Sequence, residues 1–411
     1  MQAHEGRINA TSVLLEGSRH MSGGARVEVD LSYMKSNNLS YSLFPGQIVA
    51  IEGMNCSGRK LVAQRICEGA PHAPIQTPVA DLMKYHHSDK YQSGIPLKVV
   101  VAAGPFTCSD NLEYEPLIDL VNTIITKSKP DVVILSGPFV DMNQKMVASG
   151  DTFLVTGKGD EKILVPYESI FLEQISSVLE ALYLTDASLQ TQFILVPSLD
   201  DATLENVYPQ APIQITAPVS FGVPGTDPVE VGTMGIQIIE SANRQPGVKY
   251  PQRVHCVSNP CTFQINEVVF GVTSTDVLFH ISADETNANL EIGTRMSRIA
   301  QHLVQQRSYY PLFPASANTN LNLKYMSQWQ MPCTPDVMIL PSKLSPFCCP
   351  VLDNGSLVIN PGHLARANMG GTYAIMDIYP IAREVLENAG GDDVQLNHGV
   401  HDRTYVEIKR I

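Results

Sequence analysis

Hydrophobic and polar positions change their rhythm near residue 97. Before it, short β-type runs succeed one another at 12–16, 25–31, 47–53 and 60–66, parted by Gly17, Gly23-Gly24, Pro45-Gly46 and Ser57-Gly58. Evenly spaced short strands with turn residues between them predict a small β-barrel over residues 1–68. From Gly69 to Pro96 the pattern lapses under Pro71, Pro74, Pro78 and Pro96, which reads as a linker over 69–96. A single short helix fits residues 81–87. Its His86-His87 pair reads as surface, since neighbouring positions on a helix do not face one point.

From Leu97 onward, buried strands alternate with helices. The run Asp131-Val132-Val133-Ile134-Leu135-Ser136 is apolar and rich in β-branched residues, as is a strand covered on both faces. Similar strands are predicted at 97–103, 192–196, 336–340 and 357–360. Between the first of these and 131–136, a helix over 114–127 places Leu117, Ile118, Val121, Ile124 and Ile125 on one stripe. Further helices are predicted near 170–184 and over 291–307, a hairpin over 261–272, and an antiparallel pair at 371–378 and 404–411. Such alternation predicts a layered α/β domain over 97–411. Two stretches break it. Residues 209–252 hold seven prolines, Pro209 to Pro251, and read as a long surface insertion, while 381–397 reads as a loop.

Composition narrows the function classes. The chain has 411 residues, 44% of them hydrophobic, so a large core is within reach. Net charge is −13, from 41 acidic and 28 basic residues, which argues against a broad phosphate-binding face. No apolar run approaches the roughly eighteen residues of a membrane span. Residues 1–5 lack a basic stretch leading into an apolar one, so no secretory leader is expected. The eight cysteines include no Cys-x-x-Cys pair, and they read as reduced, half-buried thiols rather than a zinc site.

The N-terminal phrase Leu43-Phe44-Pro45-Gly46-Gln47-Ile48-Val49-Ala50 is typical of an OB-type barrel, in which a turn delivers the chain into a strand. Two uses compete: gripping a single nucleic-acid strand through aromatics and basic residues, or docking a protein. The strands supply almost no aromatics and mixed charge. Residues 53–60 approach a phosphate loop in spelling, but Arg59 stands where the lysine belongs and Lys60 where the hydroxyl belongs. A solvated hairpin tip suits these two better.

Ligand sites in parallel sheets lie just past the carboxyl ends of the strands. Here those ends carry Gly104-Pro105-Phe106, Gly137-Pro138-Phe139-Val140-Asp141, Ser198-Leu199-Asp200-Asp201 and Pro341-Ser342-Lys343-Leu344. Their order resembles that of the calcineurin-like metallophosphoesterases. In that family the same strand ends read Asp-x-His, Gly-Asp-x-x-Asp, Gly-Asn-His-Asp and Gly-His-x-His, with a lone His that would fall near Thr273-Ser274-Thr275. The family's structural Asn-Pro-Gly is kept at Asn360-Pro361-Gly362. Those ligands hold two metals that activate water. Against that pattern Gly104, Pro105, Phe106, Pro138, Leu199, Ser342 and Leu344 are not ligands, and only Asp141, Asp200 and Asp201 remain, with His363 as a stray imidazole. The resemblance therefore implies an α/β sandwich of phosphoesterase type whose metal site has degenerated, with no cofactor, no bound metal and no catalytic residue.

A small OB-type β-barrel followed by an inactive calcineurin-like phosphoesterase domain is the arrangement of the B subunits of eukaryotic replicative DNA polymerases. The chain resembles that family nearly end to end, and its alpha branch in particular. The phrases that carry this are Tyr41-Ser42-Leu43-Phe44-Pro45-Gly46-Gln47, Gly58-Arg59-Lys60-Leu61-Val62-Ala63, Gly271-Val272-Thr273-Ser274-Thr275-Asp276, Gln306-Arg307-Ser308-Tyr309-Tyr310-Pro311-Leu312 and Gly370-Gly371-Thr372-Tyr373. The resemblance implies a chain that starts inside the barrel, after the helical domain and linker that precede it in the family, and leaves open whether the first strand is present. The resemblance implies a nuclear, non-catalytic scaffold in DNA replication. It would hold the zinc-bearing C-terminal domain of the DNA polymerase alpha catalytic subunit, join the primase subunits, and meet DNA only indirectly and no membrane. Tyr309, Tyr310 and Phe313 are the expected partner anchors, since aromatics often anchor interfaces. A buried lid over the core is the other reading of the same cluster. A residual metal-dependent phosphoesterase or nuclease, and a single-stranded DNA-binding module, are the competing functions.

Overall fold

The computed structural model describes residues 8, 13–56, 58–155, 162–186, 189–213, 219–221, 229–231, 253–291, 295–351 and 355–411. Two sheets packed face to face form the centre. The first has six strands in the order Val254–Cys256, Gln192–Val196, Val132–Ser136, Leu97–Ala103, Thr372–Ile378 and Thr404–Arg410. Its first four strands run parallel, and the last two are antiparallel additions. The second has five strands in the order Cys261–Ile265, Val268–Val272, Val337–Ile339, Ser356–Asn360 and Phe347–Val351. Here the middle three are parallel and both edges antiparallel.

Alternation of side chains along each strand builds the layers. Val99, Val101, Ile134 and Val196 point from the first sheet into the space between the sheets, where they meet Phe270, Val272, Ile339 and Ile359. Their neighbours Val100, Ala102, Val133 and Leu135 point the other way, under the helices that connect the strands. The second sheet is covered in turn by the helices Val277–Asp284 and Arg295–Gln305, through Leu278, Ile281, Ile299 and Leu303. Strands buried on both faces explain why the apolar runs are continuous. The layered α/β expectation holds, and so do the hairpin at 261–272 and the closing antiparallel pair.

The N-terminal part forms a sheet in the order Val13–Glu16, Arg26–Asp30, Lys60–Cys67 and Ala50–Met54 around its own small core of Val29, Leu31, Met34 and Ala63. The four predicted runs are these four strands. Lys60 reaches back to Asp30 at 2.5 Å, so the expected hairpin tip is tied to the sheet. Tyr41–Leu43 leaves this sheet and pairs with Thr286–Ala288 of the main domain.

The stretches read as linker and loop are structured on each other. Gln76–Pro78 pairs with Gln395–Asn397, and the helix Val79–His87 packs Val79 and Leu82 against Leu386 of the helix Arg383–Glu387. The surface reading of His86 is wrong, because this packing buries its side chain completely. Of the insertion at 209–252, Gln210 and Ile213 are buried at its root and a hairpin joins Val219–Phe221 to Val229–Val231. The remainder lies outside the described residues. Among the described residues no helix is long and apolar enough to cross a membrane.

Candidate functional site: the strand ends above the two sheets

Three neighbouring parallel strands bring Gly104, Gly137 and Pro197 side by side. Gly104 N–H donates to Ser136 O at 2.7 Å and Gly137 N–H to Val196 O at 2.8 Å, extending the ladder one step past the strands. Both glycines are required by close approach. A Cβ on Gly104 would lie 2.1 Å from Pro138 O, and one on Gly137 2.6 Å from Asp201 Oδ2. The phenyl rings that follow fill the interior beneath. Phe106 stacks on Phe139 with centroids 5.3 Å apart and planes 16° apart, and Phe139 meets Phe171 edge-on at 5.7 Å.

The three carboxylates at this end do different work. Asp201 is buried, and its Oδ1 accepts N–H bonds from Phe139 and from Val140, the second at 3.0 Å. Its Oδ2 accepts from Ser198 N at 2.9 Å. Burial outweighs these donors and pushes the carboxyl up to about 7. Asp141 and Asp200 share one amide instead. Asn143 Nδ2 donates to Asp141 Oδ1 and to Asp200 Oδ1, both at 3.2 Å. Burial raises the Asp141 carboxyl as well. The fold thus brings the three together in space, through the Asp141–Asp201 backbone bridge, but turns one carboxylate inward and two toward an amide. Among the described residues no group of three or more His, Cys, Asp or Glu side chains is set to hold a metal ion.

The remaining strand ends are neutral apart from Lys343. Leu199 is buried in the core under the second sheet, and Leu344 packs against that core. Ser342 Oγ accepts from Leu344 N at 3.2 Å, and Ser342 N donates to Asn360 Oδ1 at 3.0 Å. Asn360 also accepts from Gly362 N and donates to the carbonyls of Leu344 and Ser345, so the Asn-Pro-Gly phrase organises the loop above it. Thr273 donates to Asn259 Oδ1 at 3.0 Å, and Asn259 in turn binds Gln210. Asn259 and Gln210 are fully or nearly buried, and no local spacing marks them in the sequence. His363 Nδ1 lies 2.5 Å from Gly104 O and donates to it, while its buried Nε2 has no hydrogen-bond partner among the described residues.

The aromatic cluster divides. Tyr309 and Tyr310 are 1% and 2% exposed, which withdraws them from any docking surface as anchors and matches the lid reading. Tyr309 Oη pairs with Thr262 Oγ1 at 2.6 Å, and Tyr310 Oη with His280 Nδ1 at 3.1 Å. They are core because the second sheet needs a cover beyond the Arg295–Gln305 helix. Phe313, by contrast, is 55% exposed, at the mouth of a groove of about 670 Å³.

Residues 99–349 match the family of DNA polymerase alpha/epsilon B subunits, and residues 1–69 match the OB domain of the DNA polymerase alpha B subunit. The chain is 37% identical over 369 residues to the DNA polymerase alpha B subunit of Rattus norvegicus, covering 90% of this chain and 52% of that protein. It is 30% identical to the Schizosaccharomyces pombe protein of the same name, over 99% of this chain and 62% of that one. For Saccharomyces cerevisiae the identity is 29%, over 98% and 56%. The chain spans about half the length of the mammalian relatives it matches.

Proposed function

Because the chain belongs to the family of DNA polymerase alpha/epsilon B subunits, on its alpha branch, we propose that it is a non-catalytic scaffold of the DNA polymerase alpha–primase complex. In this reading it binds the zinc-bearing C-terminal domain of the catalytic subunit, stands next to the primase subunits in the nucleus, and touches DNA only through them. The observation that supports the absence of catalysis is the use made of Asp201. A carboxylate at a strand end of a phosphoesterase sandwich is worth keeping for a metal, and here both its oxygens accept backbone N–H groups. A dinuclear site needs several carboxylates and imidazoles converging on it. The stacked Phe106 and Phe139 rings and the Gly104–Pro138 approach leave backbone and phenyl carbon in that part of the fold.

Affinity purification of the chain from nuclear extract tests the scaffold role. Recovery of a polymerase catalytic subunit together with primase is expected, and their absence would refute the reading. Elemental analysis of the purified chain, with a phosphodiester assay, tests the rest. Two equivalents of manganese or zinc, with turnover lost in Asp141→Asn, would make it an enzyme.

A further inference from the structure

A cavity of about 180 Å³ opens where three distant stretches of the chain meet: Pro74 and Ile75, Thr334 and Asp336, and the turn at 397–402. That is room for about six water molecules, and less than the roughly 300 Å³ at which pockets for drug-sized ligands begin. A nucleotide or a folded peptide is too large, and a single small group fits. The walls are set before anything binds. Thr334 Oγ1 donates to His72 O and Gln76 Nε2 to Asn397 Oδ1, each at 3.0 Å, which ties the 72–76 stretch to the other two. Val400, buried between the two sheets, and Arg403 Nε, donating to His398 O at 2.9 Å, hold the turn. A preformed site loses little freedom on binding.

Inside stands a carboxylate of which the fold uses one half. Asp336 is 8% exposed. Its Oδ2 accepts from Val269 N at 2.8 Å and lies 2.7 Å from His398 Nδ1. Thr77 Oγ1 meets the other ring nitrogen of His398 at 2.7 Å, so that imidazole is held at both ends. Asp336 Oδ1 has no hydrogen-bond partner among the described residues, on a side chain that lines the cavity. Leaving one oxygen of a nearly buried carboxylate unpaired is costly. A group that brings both N–H donors and positive charge removes that cost.

The lining selects the sign and shape of that group. Asp336 and Asp402 both line the cavity, and among the described residues no Lys or Arg does. Arg403, next along the chain, is turned away to Glu267, its Nη2 2.6 Å from Oε1. Anions are repelled by such a lining. Among the described residues no three His, Cys, Asp or Glu side chains are set to hold a metal ion, so a compact divalent cation would lack its ligand shell. A guanidinium or primary ammonium differs, because its several N–H groups can reach separate acceptors. Asp336 Oδ1 offers one within the cavity. Asp402, 81% exposed and 3.3 Å from His401 Nε2, offers another at the mouth.

We propose that this cavity is a binding site for a small organic cation, a guanidinium or primary ammonium group. The group could be the side chain of an arginine or lysine in another protein, or a free amine. Titration of the full chain, labelled with 13C at histidine Cε1, tests the site by NMR. Methylguanidinium is expected to shift the His398 and His401 signals saturably at about 1–10 mM, leaving His20 in the N-terminal part unmoved. Tetramethylammonium, which has the charge but no N–H, and urea, which has the N–H groups but no charge, should each produce no saturable shift. Asp336→Asn keeps an acceptor for Val269 N and removes the charge, and should raise Kd for methylguanidinium about tenfold or more. Asp402→Asn, at an exposed side chain, should raise it about threefold with the melting temperature unchanged, and carries the test if the first variant does not fold. Two further probes separate the sources. Tighter binding of Nα-acetyl-arginine amide than of butane-1,4-diamine assigns the site to a protein side chain, the reverse to a free amine, and both support it. An equal response to tetramethylammonium, a response that survives both substitutions, or no saturable shift below about 50 mM overturns the site. The scaffold reading is untouched by either result.

Discussion

His86 Nε2 lies 2.7 Å from Glu267 Oε1, with both side chains 1% exposed or less. His86 Nδ1 accepts from Ile381 N at 3.1 Å, so Nε2 carries the proton given to the carboxylate. Arg403 Nη2 adds a second donor at 2.6 Å. The helix at 79–87 is thus pinned to the second sheet and to the end of the chain by one buried acid. Burial alone would raise the Glu267 carboxyl. The His86 hydrogen bond, followed by the charges and the Arg403 contact, outweighs it and holds the group down to about 2, from an ordinary value of 4.5.

The direction of the pH effect follows from that depression. An acid whose folded pKa lies below its unfolded one stabilises the fold above the unfolded value, and the contribution is lost as pH falls through the folded one. Urea midpoints of the unaltered chain should drop between pH 4.5 and 2 by the equivalent of about 3 kcal/mol for this group. Glu267→Gln should be less stable at pH 7 by a similar amount, and the two curves should converge near pH 2. Parallel curves over that range would remove Glu267 from the account.

Asp201 is predicted to hold loops, not chemistry. It satisfies the N–H groups of Phe139, Val140 and Ser198 in the interior. Asp201→Ala leaves those donors unpaired, a loss of about 3 kcal/mol or more. Asp201→Asn keeps one acceptor oxygen but turns an NH2 toward an N–H, so it should fall between the two. Thermal unfolding measures this order, and an Asn variant as stable as the parent would contradict the clamp.

Gly104 makes a sharper test, since its Cβ would lie 2.1 Å from Pro138 O, which is backbone and unable to swing aside. Gly104→Ala is expected to destabilise by about 3 kcal/mol or more, enough to lose most soluble protein. Gly355→Ala meets nothing closer than 3.7 Å and should shift stability by about 0.5 kcal/mol at most. Comparable melting temperatures for the two variants would show that the strand ends can separate.

The legible part of this fold is the part whose burial is complete on both sides. Val132 to Leu135 are apolar without interruption because both faces of their sheet are covered, and that signal survives without knowledge of the partner strand. The strand ends were legible too, because Gly-Pro-Phe is a phrase that local chemistry explains. Contacts between distant stretches were not. Thr77 pairs with Leu396, and nothing in either short run announces the other. His86 reads as polar surface until Glu267 and Arg403 arrive from elsewhere in the chain. Tyr309 and Tyr310 show the same blindness in reverse: an aromatic pair in a loop looks like an anchor, and only the sheet beneath turns it into core.

The junction between the two parts of the chain rests on a relay of the same kind. His302 Nε2 lies 2.8 Å from Ser42 Oγ, which donates to Glu285 Oε1, and Arg298 Nε reaches the same carboxylate at 2.8 Å. Phe44 closes over the imidazole, its ring centroid 5.1 Å away. Burial would raise the Glu285 carboxyl, but the nearby His302 imidazole, 3.7 Å away, and the hydrogen bonds from Arg298 and Ser42 hold it well below the usual carboxylate range. Ser42 belongs to the Tyr41–Leu43 strand, and the other members to the main domain, so the relay joins them with charge in a dry place. Removing one member of such a group leaves the rest unpaired. Ser42→Ala and Glu285→Gln should each destabilise, and the double variant should lose less than the sum, with a coupling of about 1–3 kcal/mol. Hydrogen exchange should then rise first in the Tyr41–Leu43 and Thr286–Ala288 strands, ahead of the central sheets. Strict additivity, with exchange rising evenly over the whole chain, would mean the two parts are held by their apolar contacts and the relay is incidental.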